Sequence, residues 1–410
     1  MAMSFQNPYK PGAGHMPPYL AGRDKETREF IKLLEQTTIL ENLVLTGLRG
    51  VGKTVLLDCL KPCAIEKKWL WVGTDLSESA SVNEETLAMR ILTDLSVVTS
   101  DIPFKTELKS KLGFSSKDDT IEIAHTLTYA KLIEFFRSIP GLVSDKLKGI
   151  LEFVWSCLKA HGYSGIIFAY DEAQTMADHA EKEQYPLALL LDVFQSIQKK
   201  NLPFMLLLTG LPTLFPKLVE ARTYAERMFR IIFLDKLKPA ESKDAILKPI
   251  NNTKCPIRFN EQSVDLVIKE SDGYPYFIQF ICREVYDVFL QKIQVGETPQ
   301  VPIDEITRKL DKDFFAGRWS RATDRQRELL FIVAKLPSAN FEFTVQEVVD
   351  ESKKHSIKNF SNSHANQLLL SLINAGLIYK NRHGKYSFAV PLLNRFIIRQ
   401  NADILPAEIT

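Results

Sequence analysis

Apolar runs recur along the chain and alternate with stretches of helical period. Leu43-Val44-Leu45 precedes the helix-forming run Val55-Leu56-Leu57-Asp58-Cys59-Leu60. Trp69 to Leu76 reads as a second strand, and Asn83 to Val97 as a helix with Asn83 as its N-cap. Gly165-Ile166-Ile167-Phe168-Ala169-Tyr170 is apolar almost throughout, the pattern of a central parallel strand buried on both faces. Pro186 to Lys199 is helical in period, Phe204 to Thr209 is a fourth buried strand, and Ile231 to Leu234 a fifth. Strands alternating with helices predict an α/β fold around a parallel sheet with right-handed crossovers. Residues 100–150 break the rhythm, mixing charged turns with an amphipathic helix near Ala130 to Phe136. They read as an insertion or a long helical crossover, whose apolar face of Leu132, Phe135 and Phe136 is expected in the core.

Chemistry enters where the first strand meets the first helix. Gly47 to Thr54 reads GLRGVGKT, a GxxxxGK[ST] string between strand and helix, the context in which it forms a phosphate cradle. Gly47, Gly50 and Gly52 let the backbone curl with its N–H groups inward, and the helix opening near Lys53 adds its positive end. Lys53 is expected to reach the β- and γ-phosphates, and the Thr54 hydroxyl to ligate Mg²⁺. Arg49 is a candidate phosphate or subunit contact, or a solvated side chain. The buried strand ending at Tyr170 carries Asp171 and Glu172 at its C-terminal edge, a Walker B pattern. There Asp171 would hold the Mg²⁺ shell and Glu172 would orient or deprotonate the attacking water. Thr209 ends its strand where it could sense the γ-phosphate or simply cap the strand.

Composition narrows the setting. The chain has 410 residues, enough for two or three domains, and 45% apolar residues supply a core for each. A formal charge of +2 gives no general reason to expect nucleic acid. The opening segment is rich in Pro and Gly without an apolar h-region, so neither signal peptide nor anchor is expected, and no apolar run reaches membrane-spanning length. Cys59, Cys63, Cys157, Cys255 and Cys282 are scattered among apolar neighbours, which fits buried thiols in a reducing cytoplasm better than a metal site.

Charge is unevenly spread, however. Residues 321–400 contain 12 Lys and Arg against 6 Asp and Glu, so this segment carries +6 and the remainder about −4. Thr323 is placed to cap a helix through Lys335, Thr344-Val345-Gln346-Glu347 is a capping box, and Ser361 caps a third helix ending before Gly376. Leu377 to Lys380 and Lys385 to Val390 form strand, turn, strand, completing the order of a winged helix. Lys353, Lys354 and Lys358, with Lys380, Arg382 and Lys385 on the wing, could straddle the phosphates of duplex DNA. Asn362, His364, Asn366 or Gln367 would then face base edges. The third helix has no Arg or Lys for reading guanine, which leaves a protein-contact or latch role open.

These motifs resemble a family. Pro18 to Glu26 matches the "GRE/GRD" box of AAA+ and STAND-like P-loop ATPases related to the origin-recognition initiators, and Asp171 to Gln174 and Thr209 to Pro212 follow in matching order. Tyr224 to Phe229, Gly273 to Phe277 and Phe314 to Trp319 look like a group of bacterial AAA ATPases. The resemblance implies ATP and Mg²⁺ as cofactors and a slow, partner-regulated hydrolase. It implies a nucleotide-binding set of Gly47, Leu48, Arg49, Gly50, Val51, Gly52, Lys53, Thr54 and Val55 with Tyr19, Leu20, Gly22, Arg23 and Pro275. It also implies that Arg227 is presented to a γ-phosphate, in cis or across a self-associated boundary, with Arg222 and Arg230 as rivals. No arginine directly follows the Gly273-Tyr274-Pro275 turn, and Arg283 is a distant substitute. The implied organisation is an ATPase core over residues 1–235, a helical lid over 236–320 and a winged helix over 321–405. Two functions fit: a DNA-engaging ATP switch, or a signalling switch whose winged helix contacts a protein.

Overall fold

The computed structural model describes residues 6–12, 14–36, 38–109, 120–251, 257–355, 359–382 and 384–402. In chain order the first elements are α1 (Asp24–Leu34), β1 (Asn42–Gly47), α2 (Lys53–Glu66), β2 (Trp69–Val72), α3 (Glu84–Thr99), β3 (Phe104–Lys109) and β4 (Thr120–His125). Next come α4 (Tyr129–Ser138), α5 (Val143–Leu158), β5 (Gly165–Tyr170), α6 (Pro186–Lys199), β6 (Phe204–Gly210), α7 (Leu214–Ala221), α8 (Ala225–Met228) and β7 (Phe229–Leu234). The remainder is helical but for one hairpin: α9 (Pro239–Asn251), α10 (Glu261–Ser271), α11 (Pro275–Gln294), α12 (Ile303–Leu310), α13 (Ala316–Trp319), α14 (Asp324–Lys335), α15 (Val345–Ser352), α16 (Asn362–Asn374), β8 (Ile378–Arg382), β9 (Lys385–Phe388) and α17 (Leu393–Ala402).

Two compact units result, each made of separate chain segments. The first, Asp24–Thr46 with Leu56–Phe233, contains the five-stranded sheet in the order β2-β5-β6-β1-β7. The pairs β2/β5, β5/β6 and β1/β6 are parallel, with Leu45 opposite Thr209 and Thr46 opposite Gly210. Every residue of β1, β5 and β6 is buried, which is why these runs carry no polar alternation. Leu190, Phe194 and Ile197 of α6 and Ile91 and Leu95 of α3 complete this core. The fold is α/β with a parallel central sheet, as the patterning predicts.

β2 is shorter than the predicted Trp69–Leu76. Gly73 stops it at Val72: its φ is +122°, and a Cβ there would lie 2.1 Å from the Ala169 carbonyl oxygen. Pairing resumes as an isolated parallel bridge between Asp75 and Asp171. The 100–150 segment also differs from expectation, since β3 and β4 form an antiparallel hairpin pairing Phe104 with His125 and Lys109 with Thr120. Residues 110–119, which join them, lie outside the described residues. Downstream, α4 covers the expected helix, with Leu132 and Phe136 buried.

The second unit, Met1–Arg23, Gly47–Val55 and Leu234–Thr410, gathers the glycine loop, the helices after β7 and the C-terminal elements. α11 starts with Pro275 at its first position, where a missing N–H costs nothing. Between α12 and α13, Asp311–Phe315 forms a π-helical turn. It sends the adjacent side chains Phe314 and Phe315 to different neighbours: Phe314 lies 5.0 Å from the Tyr276 ring and Phe315 stacks on Phe396 at 5.1 Å. Farther on, α14, α15 and α16 precede the β8/β9 hairpin in the order of a winged helix. Thr323 and Thr344 form full capping boxes with Gln326 and Glu347, and the Ser361 hydroxyl accepts from the His364 N–H at 3.3 Å. α17, absent from the sequence reading, packs Leu393, Phe396 and Ile397 into this core.

Candidate functional site

The glycine loop is held by backbone partners within its own unit. Gly50 and Gly52 have φ of +79° and +90°, values an L side chain rarely takes. The N–H of Tyr276, in the first turn of α11, donates to the Gly50 carbonyl at 3.1 Å. A Cβ on Gly50 would sit 3.0 Å from that of Tyr276, so the loop and the Gly273-Tyr274-Pro275 turn meet backbone to backbone. Val51 is buried and its carbonyl accepts from the Arg23 guanidinium at 2.9 Å, while the same Nη2 reaches the Asp235 carbonyl at 2.8 Å. Arg23 therefore braces the loop from behind, a role the sequence did not reveal.

Lys53, the first residue of α2, is buried, and its ammonium donates to the Gly47 and Leu48 carbonyls at 3.0 Å each. No heavy atom lies within 4 Å of the place a Gly52 Cβ would occupy, so the loop opens there to free space. Gly47 has a different constraint, because a Cβ would come within 2.4 Å of the Leu234 carbonyl oxygen. Thr54, Val55, Leu20, Gly22 and Pro275 are all partly buried. Tyr19 accepts a hydrogen bond from Lys248 Nζ at 2.8 Å, and Gly22, at φ +63°, lies against Glu241.

In the sheet unit, Asp171 follows β5 and is buried, and its carboxylate accepts from the Glu172 N–H at 2.8 Å. Glu172 has a left-handed backbone, φ 52°, uncommon for a residue with a Cβ. Its carboxylate accepts from the Gln174 side-chain amide, and the Gln174 Oε1 accepts from the Leu211 N–H at 3.0 Å. Lys217 Nζ donates to the Gln174 carbonyl at 2.7 Å, and burial lowers the pKa of this lysine. Gln174 thus ties Glu172 to the end of β6. Thr209 is fully buried, and neither its hydroxyl nor that of Thr46 has a hydrogen-bond partner among the described residues. Two orphaned hydroxyls at the C-terminal ends of neighbouring strands occupy the edge where open α/β sheets take their ligands.

The three candidate arginines separate cleanly. Arg222 forms a bidentate pair with Asp192 at 2.9 and 2.6 Å, and Tyr224 adds a hydrogen bond to the same carboxylate at 2.6 Å. Burial acts to raise the Asp192 pKa, but these hydrogen bonds outweigh it and hold the carboxyl below its ordinary range. Arg230 pairs with Glu41 at 2.8 Å. Arg227 is exposed and has no ion pair among the described residues.

On the C-terminal elements, Lys353 pairs with Asp350 at 2.8 Å and Lys354 with Glu351 at 2.7 Å, so neither charge stands alone. Lys380 is exposed and Lys385 partly so, Asn362 donates to Gln346 at 3.3 Å, and Asn366 and Gln367 are exposed. Lys358 and Cys255 lie outside the described residues, as does the side chain of Arg382. Among the described residues no helix is long and apolar enough to cross a membrane.

Comparison with known proteins follows this geometry. A domain of unknown function (DUF8462) matches residues 312–397. No curated protein matches the chain by sequence. The Walker-type ATPase PABY2304 of Pyrococcus abyssi is similar in structure at 16% identity, with a TM-score of 0.57 over 92% of this chain and 96% of that one. The ORC2 protein of Aeropyrum pernix is similar in its ADP form at 15% identity, with a TM-score of 0.54 over 96% of each chain. In its ADPNP-ADP complexes the values are 12% and 0.53, over 96% of this chain and 98% of that one. At such identities the likeness is one of fold. The fold is that of an α/β P-loop NTPase, shared with the Walker-type ATPase and the ORC2 protein.

Proposed function

We propose that the protein is an ATP-binding and ATP-hydrolysing switch of the AAA+ class whose C-terminal winged helix engages duplex DNA. The observation that carries the reading is the glycine loop, with Gly50 and Gly52 at positive φ and Lys53 drawn inside it. Similarity to a Walker-type ATPase and to a protein solved with ADP and ADPNP supports it.

In this reading the N–H groups of the loop and Lys53 bind the β- and γ-phosphates, and the segment from Tyr19 to Arg23 with Pro275 borders the base. The Thr54 hydroxyl and the Asp171 carboxylate are hard oxygen donors of the kind Mg²⁺ prefers, and they would hold it; the ion supplies charge neutralisation at the phosphates. Glu172 accepts a proton from a water whose oxygen attacks the γ-phosphorus, and the bond to the β–γ bridging oxygen breaks. Thr209 would sense this step, a reading supported by its buried hydroxyl, which has no partner among the described residues. Arg227 would supply positive charge to the transition state, in cis or across a subunit boundary; its rivals Arg222 and Arg230 are already paired. The core, lid and winged helix act as three functional parts over residues 1–235, 236–320 and 321–405, in the cytoplasm.

Nucleotide titration and phosphate release test the first half. Lys53→Ala is expected to lose ATP binding, and Glu172→Gln to bind ATP without turning it over. Retained tight binding by Lys53→Ala would overturn the cradle. A salt-dependent mobility shift with duplex DNA and ATP tests the second half. One observation favours a protein partner instead: Lys353 and Lys354 are paired on their own helix, and α16 has no Arg or Lys. Absence of any shift at low salt would select that reading.

A further inference from the structure

Residues 7–10 fasten an N-terminal segment to helices distant in sequence. The Asn7 Nδ2 donates to the Arg283 carbonyl at 3.0 Å and to the Asp287 carboxylate at 2.8 Å, while its Oδ1 accepts from the Tyr9 N–H at 3.0 Å. Tyr9 is buried. Its ring stacks on Phe259 at 6.2 Å and meets Tyr286 edge-on at 6.4 Å, and its hydroxyl donates to the Ile246 carbonyl. The Lys10 N–H donates to the Oε1 of buried Gln279 at 3.1 Å, so one short arm ties α9 to α11. Downstream the same segment lies against the glycine loop. A Cβ on Gly14, whose φ is +70°, would sit 3.3 Å from Cγ2 of Thr54, and one on Gly12 would meet the His15 ring. Gly12 and Gly14 thus turn the chain at the Thr54 end of the loop, and Arg23 reaches Val51 nearer its middle. Pro8 and Pro11 fix φ before this turn, and Pro17 and Pro18 after it. The result is two stiff arms about a glycine hinge.

We propose that the arm of residues 7–12 is a hinged gate that sets the rate at which nucleotide enters and leaves, turning about Gly12 and Gly14. This rests on the reading of the loop as a nucleotide cradle and adds what controls exchange at it. The anchors of the first arm are on α9, on α11 and at Phe259, whereas the second arm is held separately, Tyr19 by Lys248 and Arg23 by the Val51 and Asp235 carbonyls. The first arm can therefore lift while the second stays seated. Such a local opening has the free energy of the few bonds that hold it, and nucleotide passes Thr54 while the arm is raised. A gate fastened to the protein rather than to the ligand slows entry and exit alike. Loosening it raises both rates and leaves the affinity where it was.

The test is stopped-flow binding and release of a fluorescent ADP analogue by the full chain with Mg²⁺. Asn7→Asp keeps the acceptor for the Tyr9 N–H, but it loses the donor to Arg283 and sets a like charge against Asp287. Both rate constants are expected to rise about tenfold, the range of one charge-assisted hydrogen bond, and Kd to change less than about twofold. Adding Asp287→Asn to that variant is expected to bring both rates part of the way back. Tyr9→Phe, which keeps the buried ring and removes only the bond to Ile246, is expected to act in the same direction as Asn7→Asp. Wild-type rates in both single variants, or faster exit alone with weaker binding, would overturn the gate. Wild-type protein that binds no nucleotide would instead overturn the functional reading, so the two failures are distinguishable.

Discussion

The main-chain N–H of Tyr276 donates to the carbonyl of Gly50 at 3.1 Å. This single bond joins the middle of the glycine loop to the first turn of α11, so the loop's shape depends on that helix. Gly50→Ala should break the arrangement twice, through its φ of +79° and through a Cβ 3.0 Å from that of Tyr276. The expected cost is about 1–3 kcal/mol of stability together with weakened ATP binding. Gly296→Ala is the control: its φ is +76° but nothing lies within 4 Å. Thermal unfolding should register both variants, and nucleotide titration only the first.

Gln174 offers a test of how Glu172 is aimed. Its amide holds the Glu172 carboxylate while its Oε1 accepts from Leu211. Gln174→Ala should lower kcat about tenfold or more and leave KM for ATP nearly unchanged, since misaiming a base affects the chemical step. Steady-state phosphate release measures this. A raised KM with unaltered kcat would assign Gln174 to binding instead.

Acid should weaken one contact in a defined order. The folded-state pKa of Asp192 is depressed, so its pairing with Arg222 and Tyr224 contributes fully above the ordinary carboxylate value of about 3.9 and is lost as pH falls through the folded value. Wild type should therefore melt above Asp192→Asn at pH 6, and the gap should close below about pH 4. Melting curves of both proteins across that range check the sign. A constant gap would mean that the ion pair is not its source.

The wing and α15 should respond differently to charge removal. Exposed Lys380 and partly exposed Lys385 on the hairpin have no ion pair among the described residues, whereas Lys353 is bonded to Asp350. Replacing both wing lysines by alanine should reduce the slope of log K against log salt by up to about 2, at about 0.9 per phosphate contact. Lys353→Ala should leave the slope alone. Mobility shifts over a salt series decide it, and an equal effect from all three would reassign the DNA face.

Features that depend on near neighbours were readable from sequence. The glycine string, the buried strand ending in Asp171, and the capping residues Asn83, Thr323, Thr344 and Ser361 are all local rules, and each helix cap is found where expected. The β3/β4 hairpin was missed because Phe104-Lys105-Thr106-Glu107-Leu108-Lys109 hides its alternation under charge. α17 follows Leu392, whose φ of +61° gives no capping signal. Arg23 and Gln174 owe their roles to partners brought close only by the fold. The strand length of β2 was overread because nothing in the sequence announces that Ala169 approaches Gly73.

The π-turn at Asp311–Phe315 holds one residue more than an α-helical turn would. The added residue lets two successive rings serve two neighbours, Phe314 beside Tyr276 of α11 and Phe315 against Phe396 of α17. Deleting a single residue there would restore regular winding at the expense of one of these contacts, so the turn works as a joint that ties the base of α11 to the last helix of the chain.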